Sequence, residues 1–207
     1  MPGPHRELGY QDSSSLHQFV LGDPRWMDVR PASILAGGNL AWDEPKILCN
    51  ATRLSRGYWR LAASVDRNGR RATQQFMGLW PREGVEVDFD ALAAVINGPV
   101  VNAFLSEHSF DKRFRIAKLE EAPIPVELPA ELGDLSREYA AAAARDANSP
   151  ALPDKLAAID EMVLDAYGLS GDDRAALYSL MGEDRPVIGA KSKRRLTRDN
   201  LRPQNKT

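Results

Sequence analysis

Residues 42–81, WDEPKILCNATRLSRGYWRLAASVDRNGRRATQQFMGLWP, decide how the rest of the chain is read. The run 46–51, KILCNA, is apolar and of strand length. Over 58–65, YWRLAASV, an extended chain places Trp59, Leu61, Ala63 and Val65 on one face and Tyr58, Arg60 and Ser64 on the other. That is the two-residue period of a half-buried strand. Asn68-Gly69 follows, the dipeptide that best accepts the positive φ of a tight turn. The segment 71–80, RATQQFMGLW, then reads as the strand returning against the first. A β-hairpin over 58–80 is the expectation.

The same stretch concentrates arginine. Between 51 and 75 lie Arg53, Arg56, Arg60, Arg67, Arg70 and Arg71 against Asp66 alone, although the 207-residue chain carries a net charge of -2. Acidic residues gather instead over 120–184, and 191–206 is basic again. Segregation of this kind lets one face attract a polyanion while the whole molecule stays near neutral.

Working outward, the first forty residues are rich in Gly, Pro and Ser with short apolar islands, which predicts irregular structure with at most one short helix or strand. At Asp88 the period changes to helical, with Leu92, Val95 and Ile96 in step. Asn97-Gly98-Pro99 stops that helix, and Pro99 suits the first turn of a second one carrying Val100, Val101, Phe104 and Leu105. A basic connector, FDKRFRIAKL, leads to EEAPIPVEL, whose two prolines require an extended segment. Three further helices are predicted over 130–146, 153–166 and 172–181; the second carries the stripe Leu156, Ile159, Met162, Val163, Ala166 and ends at Gly168. The fold class expected is α+β: a small, mostly antiparallel sheet with flanking helices and a C-terminal helical bundle. The corresponding division is an irregular segment 1–41, an α/β domain 42–128, a helical subdomain 129–184, and a basic tail 185–207 without apolar period, expected to be disordered.

Several chemistries lack their residues. His5, His17 and His108 are scattered and the single cysteine, Cys49, lies in an apolar run, so zinc binding and disulfide chemistry are not expected. His108 reads as a helix-end or surface histidine. The sequence contains no phosphate loop with its lysine, no dinucleotide glycine fingerprint and no nucleophile elbow, and no cofactor is expected in this chain. Gly37-Gly38 reads as a turn. Asp23-Pro24-Arg25-Trp26 is comparable with the Asp/Asn-Pro-Pro-aromatic loop of amino-methyltransferases, but Arg25 replaces the second proline and no βαβ unit for a methyl donor precedes it. A nuclease would need a carboxylate set for a metal followed by a lysine on adjacent strands, which the sequence does not display. Apolar runs too short to span a bilayer, and an N-terminus without the pattern of a secretion signal, lead to the expectation of a soluble cytoplasmic protein with no membrane partner. By itself the chain is not expected to be an enzyme.

Four segments in order resemble the C-terminal target-recognition domain of adenine-N6 DNA methyltransferases of restriction-modification systems. They are WDEPKILCNATRLSRGYWRLAASVD, LAAVINGPVVNAFLSEH, LEEAPIPVELP and LAAIDEMVLDAYGLSGDDRAALYSLMG, covering roughly 42–181. The family's catalytic domain, with its methyl-donor motif, would lie upstream and is not in this sequence. The resemblance therefore implies sequence-specific recognition of double-stranded DNA without methyl transfer, beside a separate methyltransferase or restriction subunit. The residue chemistry agrees, because arginine pairs bidentately with guanine and with phosphate, and glutamine suits the adenine edge. The candidate DNA-binding residues are Arg53, Arg56, Tyr58, Arg60, Arg70, Arg71, Gln74 and Gln75, with Lys112, Arg113 and Arg115 of the connector as phosphate contacts. Lys191, Lys193, Arg194 and Arg195 of the tail would add non-specific attraction. The rival expectations are a protein-interaction module docking a partner through the acidic C-terminal helices, and a non-functional fragment of a split methyltransferase gene.

Overall fold

In the computed structural model, residues 3–30, 40–55, 57–108 and 112–181 are described, together with the backbone of 185–186 and 195–196. The chain begins with strands β1 (Arg6–Tyr10), β2 (Leu16–His17), β3 (Val20–Leu21) and β4 (Arg25–Asp28). Strands β5 (Lys46–Asn50), β6 (Ala63–Asp66), β7 (Arg71–Ala72) and β8 (Phe76–Leu79) come next. Helices α1 (Phe89–Asn97), α2 (Pro99–His108), α3 (Ile116–Glu120), α4 (Ala130–Arg145), α5 (Leu152–Ala166) and α6 (Gly171–Met181) follow, and β9 (Arg185–Pro186) pairs with β10 (Arg195–Leu196). The fold class is α+β.

Every residue of β5 is buried, and it lies at the centre of a three-stranded antiparallel sheet in the order β6-β5-β8. Its register sets Ile47 against Val65 on one side and against Leu79 on the other. This corrects the hairpin expectation: β6 and the strand that follows do not pair, but occupy opposite edges of β5. The reason lies in β5 itself. A strand buried at every position is stable only with both faces covered and both backbone edges bonded, and the two later strands meet that need better than pairing with each other. The turn between them still forms, with Gly69 at φ 61° and the Asp66 carboxylate accepting from the backbone N–H of Asn68 at 3.1 Å and of Arg70 at 2.8 Å. Beyond the turn, β7 pairs in parallel with β1, which in turn pairs antiparallel with β4.

Strands β1 to β4 also correct the expectation of an irregular N-terminal segment. They are short and interrupted by Gly, Pro and Ser, so no local period announces them. β2 and β3 pair with each other and β1 with β4, but the segment is also tied to residues far along the chain, β1 to β7 and Phe19 N–H to the carbonyl of Ala63 at 2.8 Å.

The alternation along β5 divides the core. Ile47 and Cys49 face a large cluster that includes Ala94, Val95, Leu132, Tyr139, Leu156, Ile159 and Val163. Leu48 faces a smaller one made with Tyr10, Leu16, Trp42, Ala62, Ala72 and Phe76. The central sheet is thus sandwiched between helices and the N-terminal strands, and the larger core runs without a break across residue 129 into α4 and α5. Burial pushes the Cys49 thiol up to about 12.

Capping chemistry sets the start of α1 and α6 and the end of α5. Asp88 caps α1 by accepting from the N–H groups of Asp90 and Ala91, and α2 departs from α1 at a 54° bend. Gly168 at φ 66° ends α5, and Ser170 and Asp173 bond reciprocally at the start of α6. Among the described residues no single helix is long and apolar enough to cross a membrane. Of the tail expected to be disordered, the paired β9 and β10 are described; its remaining residues, with Lys191, Lys193 and Arg194, lie outside the described residues, as do Gly37-Gly38 and the side chain of Arg195.

Candidate nucleic-acid interface

The segment 58–62 keeps the alternation expected of a strand, with Trp59 and Leu61 buried, yet its backbone joins no regular ladder until Ala63. Side chains take the place of a neighbouring strand. Asn50, at the end of β5, donates to the carbonyls of Thr52 at 2.7 Å and Arg60 at 2.9 Å and accepts from Ala62 N–H at 2.6 Å. Ser55 donates to the carbonyl of Trp59, and Leu54 N–H to that of Arg60. The loop is therefore closed at its base, with Arg53 and Arg60 both half-exposed.

Two other segments are fastened to this loop. Thr52 forms an antiparallel bridge with Arg113, Arg53 N–H donates to the carbonyl of Lys112 at 2.9 Å, and Phe114 N–H donates to that of Ala51 at 2.9 Å. Phe114 is buried, so the connector is plugged into the core immediately beside Lys112 and Arg113, which are exposed. From the other side, Ala51 N–H donates to the carbonyl of Gln75 at 2.8 Å, and the Arg113 guanidinium donates to the carbonyl of Gln74 at 3.0 Å. Arg53, Gln74, Gln75, Lys112 and Arg113 are thereby brought together.

Arg60 joins them. Its Nε donates to the Gly57 carbonyl at 2.6 Å. Burial first, and then the neighbouring Arg53 charge, hold its pKa below the ordinary value, while Tyr58 and Glu107 act in the opposite direction. Tyr58 turns toward α2, where its hydroxyl donates to Glu107 Oε1 at 2.8 Å; that hydrogen bond is the main reason its pKa is raised.

The remaining candidates are placed differently. Arg71 on β7 pairs with Glu7 of β1 at 3.2 Å, and Arg70 is held through its backbone by Asp66. Gln75 Oε1 accepts from Ser13 N–H at 3.2 Å, which gives that side chain a structural duty. Arg115 is exposed at the N-cap position of α3. Arg56 lies outside the described residues. Arg67 pairs with Asp90, which also accepts from Arg137 at 2.8 Å, so this arginine fastens the 66–70 turn to α1 and α4. His108 sits at the end of α2, stacked on Phe104 with ring centroids 4.3 Å apart and Nδ1 2.8 Å from the Phe104 carbonyl. Asp23-Pro24-Arg25-Trp26 leads into the edge strand β4.

Sequence reasoning did not single out the residues that shape this surface: Asn50, Asn97, Asn102, Ser106 and Glu107. The one signal was the Asn-Gly-Pro interruption with a second asparagine three residues beyond the proline. Among the described residues no group of three His, Cys, Asp or Glu side chains is placed to hold a metal ion. No protein-family model matches the chain, and no curated protein matches it.

Proposed function

We propose that the chain is a sequence-specific duplex-DNA recognition module of a restriction-modification-type adenine-N6 methyltransferase, without methyl-transfer chemistry of its own, and that a separate methyltransferase or restriction subunit supplies catalysis. The observation that carries this reading is the convergence of Arg53, Arg60, Lys112, Arg113 and Gln74 from three distant segments onto one surface, joined by the Thr52–Arg113 bridge. Cations assembled in this way provide salt-dependent attraction to phosphate, and guanidinium and amide groups among them can discriminate base edges. Lys112 and Arg113 are assigned to the backbone, and Arg53, Arg60 and Gln74 to the bases. Arg71, already paired with Glu7, is given no base contact.

A second reading rests on its own observation. A groove of about 420 Å³ between the start of α1 and the segment before α4 is lined by Val87, Leu92, Ile124, Leu128 and the fully exposed Val126. An apolar strip of this kind suits docking of a partner protein.

Selection from a randomised duplex library at two salt concentrations, with and without a genetically adjacent methyltransferase subunit, tests both. The DNA reading expects a short enriched motif, and expects the Arg53→Met, Arg60→Met, Arg113→Met triple variant to lose it. The slope of log affinity against log salt should fall by about 0.9 for each phosphate contact removed. No enrichment in either condition, with binding of the subunit retained, would replace this reading by the docking one.

A further inference from the structure

The break between α1 and α2 holds a buried amide aimed at the recognition loop. Asn102 is completely buried, and its Oδ1 accepts two successive backbone donors, Arg60 N–H at 2.9 Å and Leu61 N–H at 2.9 Å. The amide cannot be reversed without loss. Its Nδ2 lies against the carbonyls at the helix break, those of Gly98 at 3.1 Å, Asn97 at 3.3 Å and Ile96 at 3.4 Å, which fixes the oxygen toward the loop.

Four residues along, on the same face of α2, Ser106 donates to the carbonyl of Tyr58 at 2.9 Å, and Glu107 accepts from the Tyr58 hydroxyl. Asn97 completes the row by bonding both backbone groups of Ala63, accepting at 2.7 Å and donating at 2.9 Å. One edge of the 58–63 segment is thus read by α1 and α2 side chains where a strand would otherwise lie.

We infer that Asn102 is a positioning residue for DNA recognition: with Ser106 and Glu107 it locks the 58–61 backbone so that Arg60 is presented beside Arg53 before DNA arrives. This rests on the DNA-recognition reading above. Pre-ordering the loop lowers the entropy cost of forming base contacts, whereas non-specific attraction to phosphate tolerates a mobile arginine.

The test uses the full chain, with Asn102→Ala and the milder Ser106→Ala in case the first fails to fold. Amide hydrogen exchange is measured without DNA, and affinity is measured for the selected duplex and for a scrambled duplex of the same composition, with active protein counted by stoichiometric titration. Exchange at Arg60 and Leu61 in Asn102→Ala, and in the 58–61 backbone in Ser106→Ala, should quicken about tenfold or more while β5 and α5 stay protected. Affinity for the selected duplex should fall about tenfold, with the scrambled duplex changed less than about twofold. Unchanged exchange overturns the clamp. Faster exchange with undiminished discrimination, or equal loss on both duplexes, overturns its role in recognition. Failure of the wild-type chain to discriminate the duplexes at all overturns the DNA reading and the recognition role with it, and the exchange arm then decides the clamp alone.

Discussion

Replacing Lys46 by Met removes the most deeply placed charge on β5. Both Lys46 and Asp66 have fully buried side chains, and the ammonium donates to Asp66 Oδ2 at 2.8 Å, to the Trp42 carbonyl at 2.8 Å and to the Glu44 carbonyl at 3.2 Å, 5.5 Å from the centroid of the Trp42 ring. Met fills nearly the same volume, so the loss is one of charge and donors rather than of packing. Breaking one side of a buried pair costs roughly 3–5 kcal/mol because the other charge is left without its counter-ion. Asp66 keeps the N–H groups of Asn68 and Arg70, which compensate it in part, and the lower end, about 3 kcal/mol, is expected. The assay is urea unfolding followed by tryptophan fluorescence, for Lys46→Met, Asp66→Asn and the double variant. The double variant should recover at least about 1 kcal/mol relative to the sum of the singles, because neither partner is then buried alone. A Lys46→Met loss below about 1 kcal/mol, or strict additivity, would refute the idea that Lys46 and Asp66 compensate each other's buried charge.

Two positive-φ glycines separate backbone strain from steric clash. At Gly168, φ 66°, a Cβ meets nothing within 4 Å, so Gly168→Ala should cost about 1 kcal/mol in the same unfolding assay. At Gly69, φ 61°, a Cβ would lie 2.0 Å from the Asp43 carbonyl oxygen, and the loss should be clearly larger; equal losses would contradict the geometry. Cys49, with its thiol raised to about 12 by burial, should resist an aromatic disulfide reagent at pH 8 and react only as the protein unfolds. Because the folded value lies above the unfolded one, the thiol's contribution to stability is complete below about pH 9 and is lost as pH rises toward 12. Rapid labelling of the folded protein would show that the core opens locally at β5.

The helices illustrate what local signals carry. The stripe on α5, the glycine that ends it and the Asn-Gly-Pro break are properties of a few consecutive residues, and α1, α2, α4, α5 and α6 lie within a residue or two of where those signals put them. The run KILCNA likewise announced a strand, and Asn68-Gly69 a turn. The N-terminal strands carried no such signal, being two to five residues long, with β1 completed by the distant β7. The arginine-rich stretch was legible as composition but not as arrangement. Arg67 serves Asp90 and Arg71 serves Glu7, while the Arg53 backbone bonds to Lys112 and the Arg60 guanidinium lies within reach of the Arg53 charge, and nothing within 51–75 distinguishes these fates.

The sequence by itself determined element types, helix limits and the segregation of basic from acidic segments, because periodicity, caps and turn residues act over a handful of neighbours. Only the tertiary structure decided that β6 and β8 flank β5 instead of pairing, that asparagines stand in for a strand along 58–63, and which arginines share a surface. Those outcomes depend on which distant backbone edges and charges can be satisfied at once, a condition set by the packing of the whole chain.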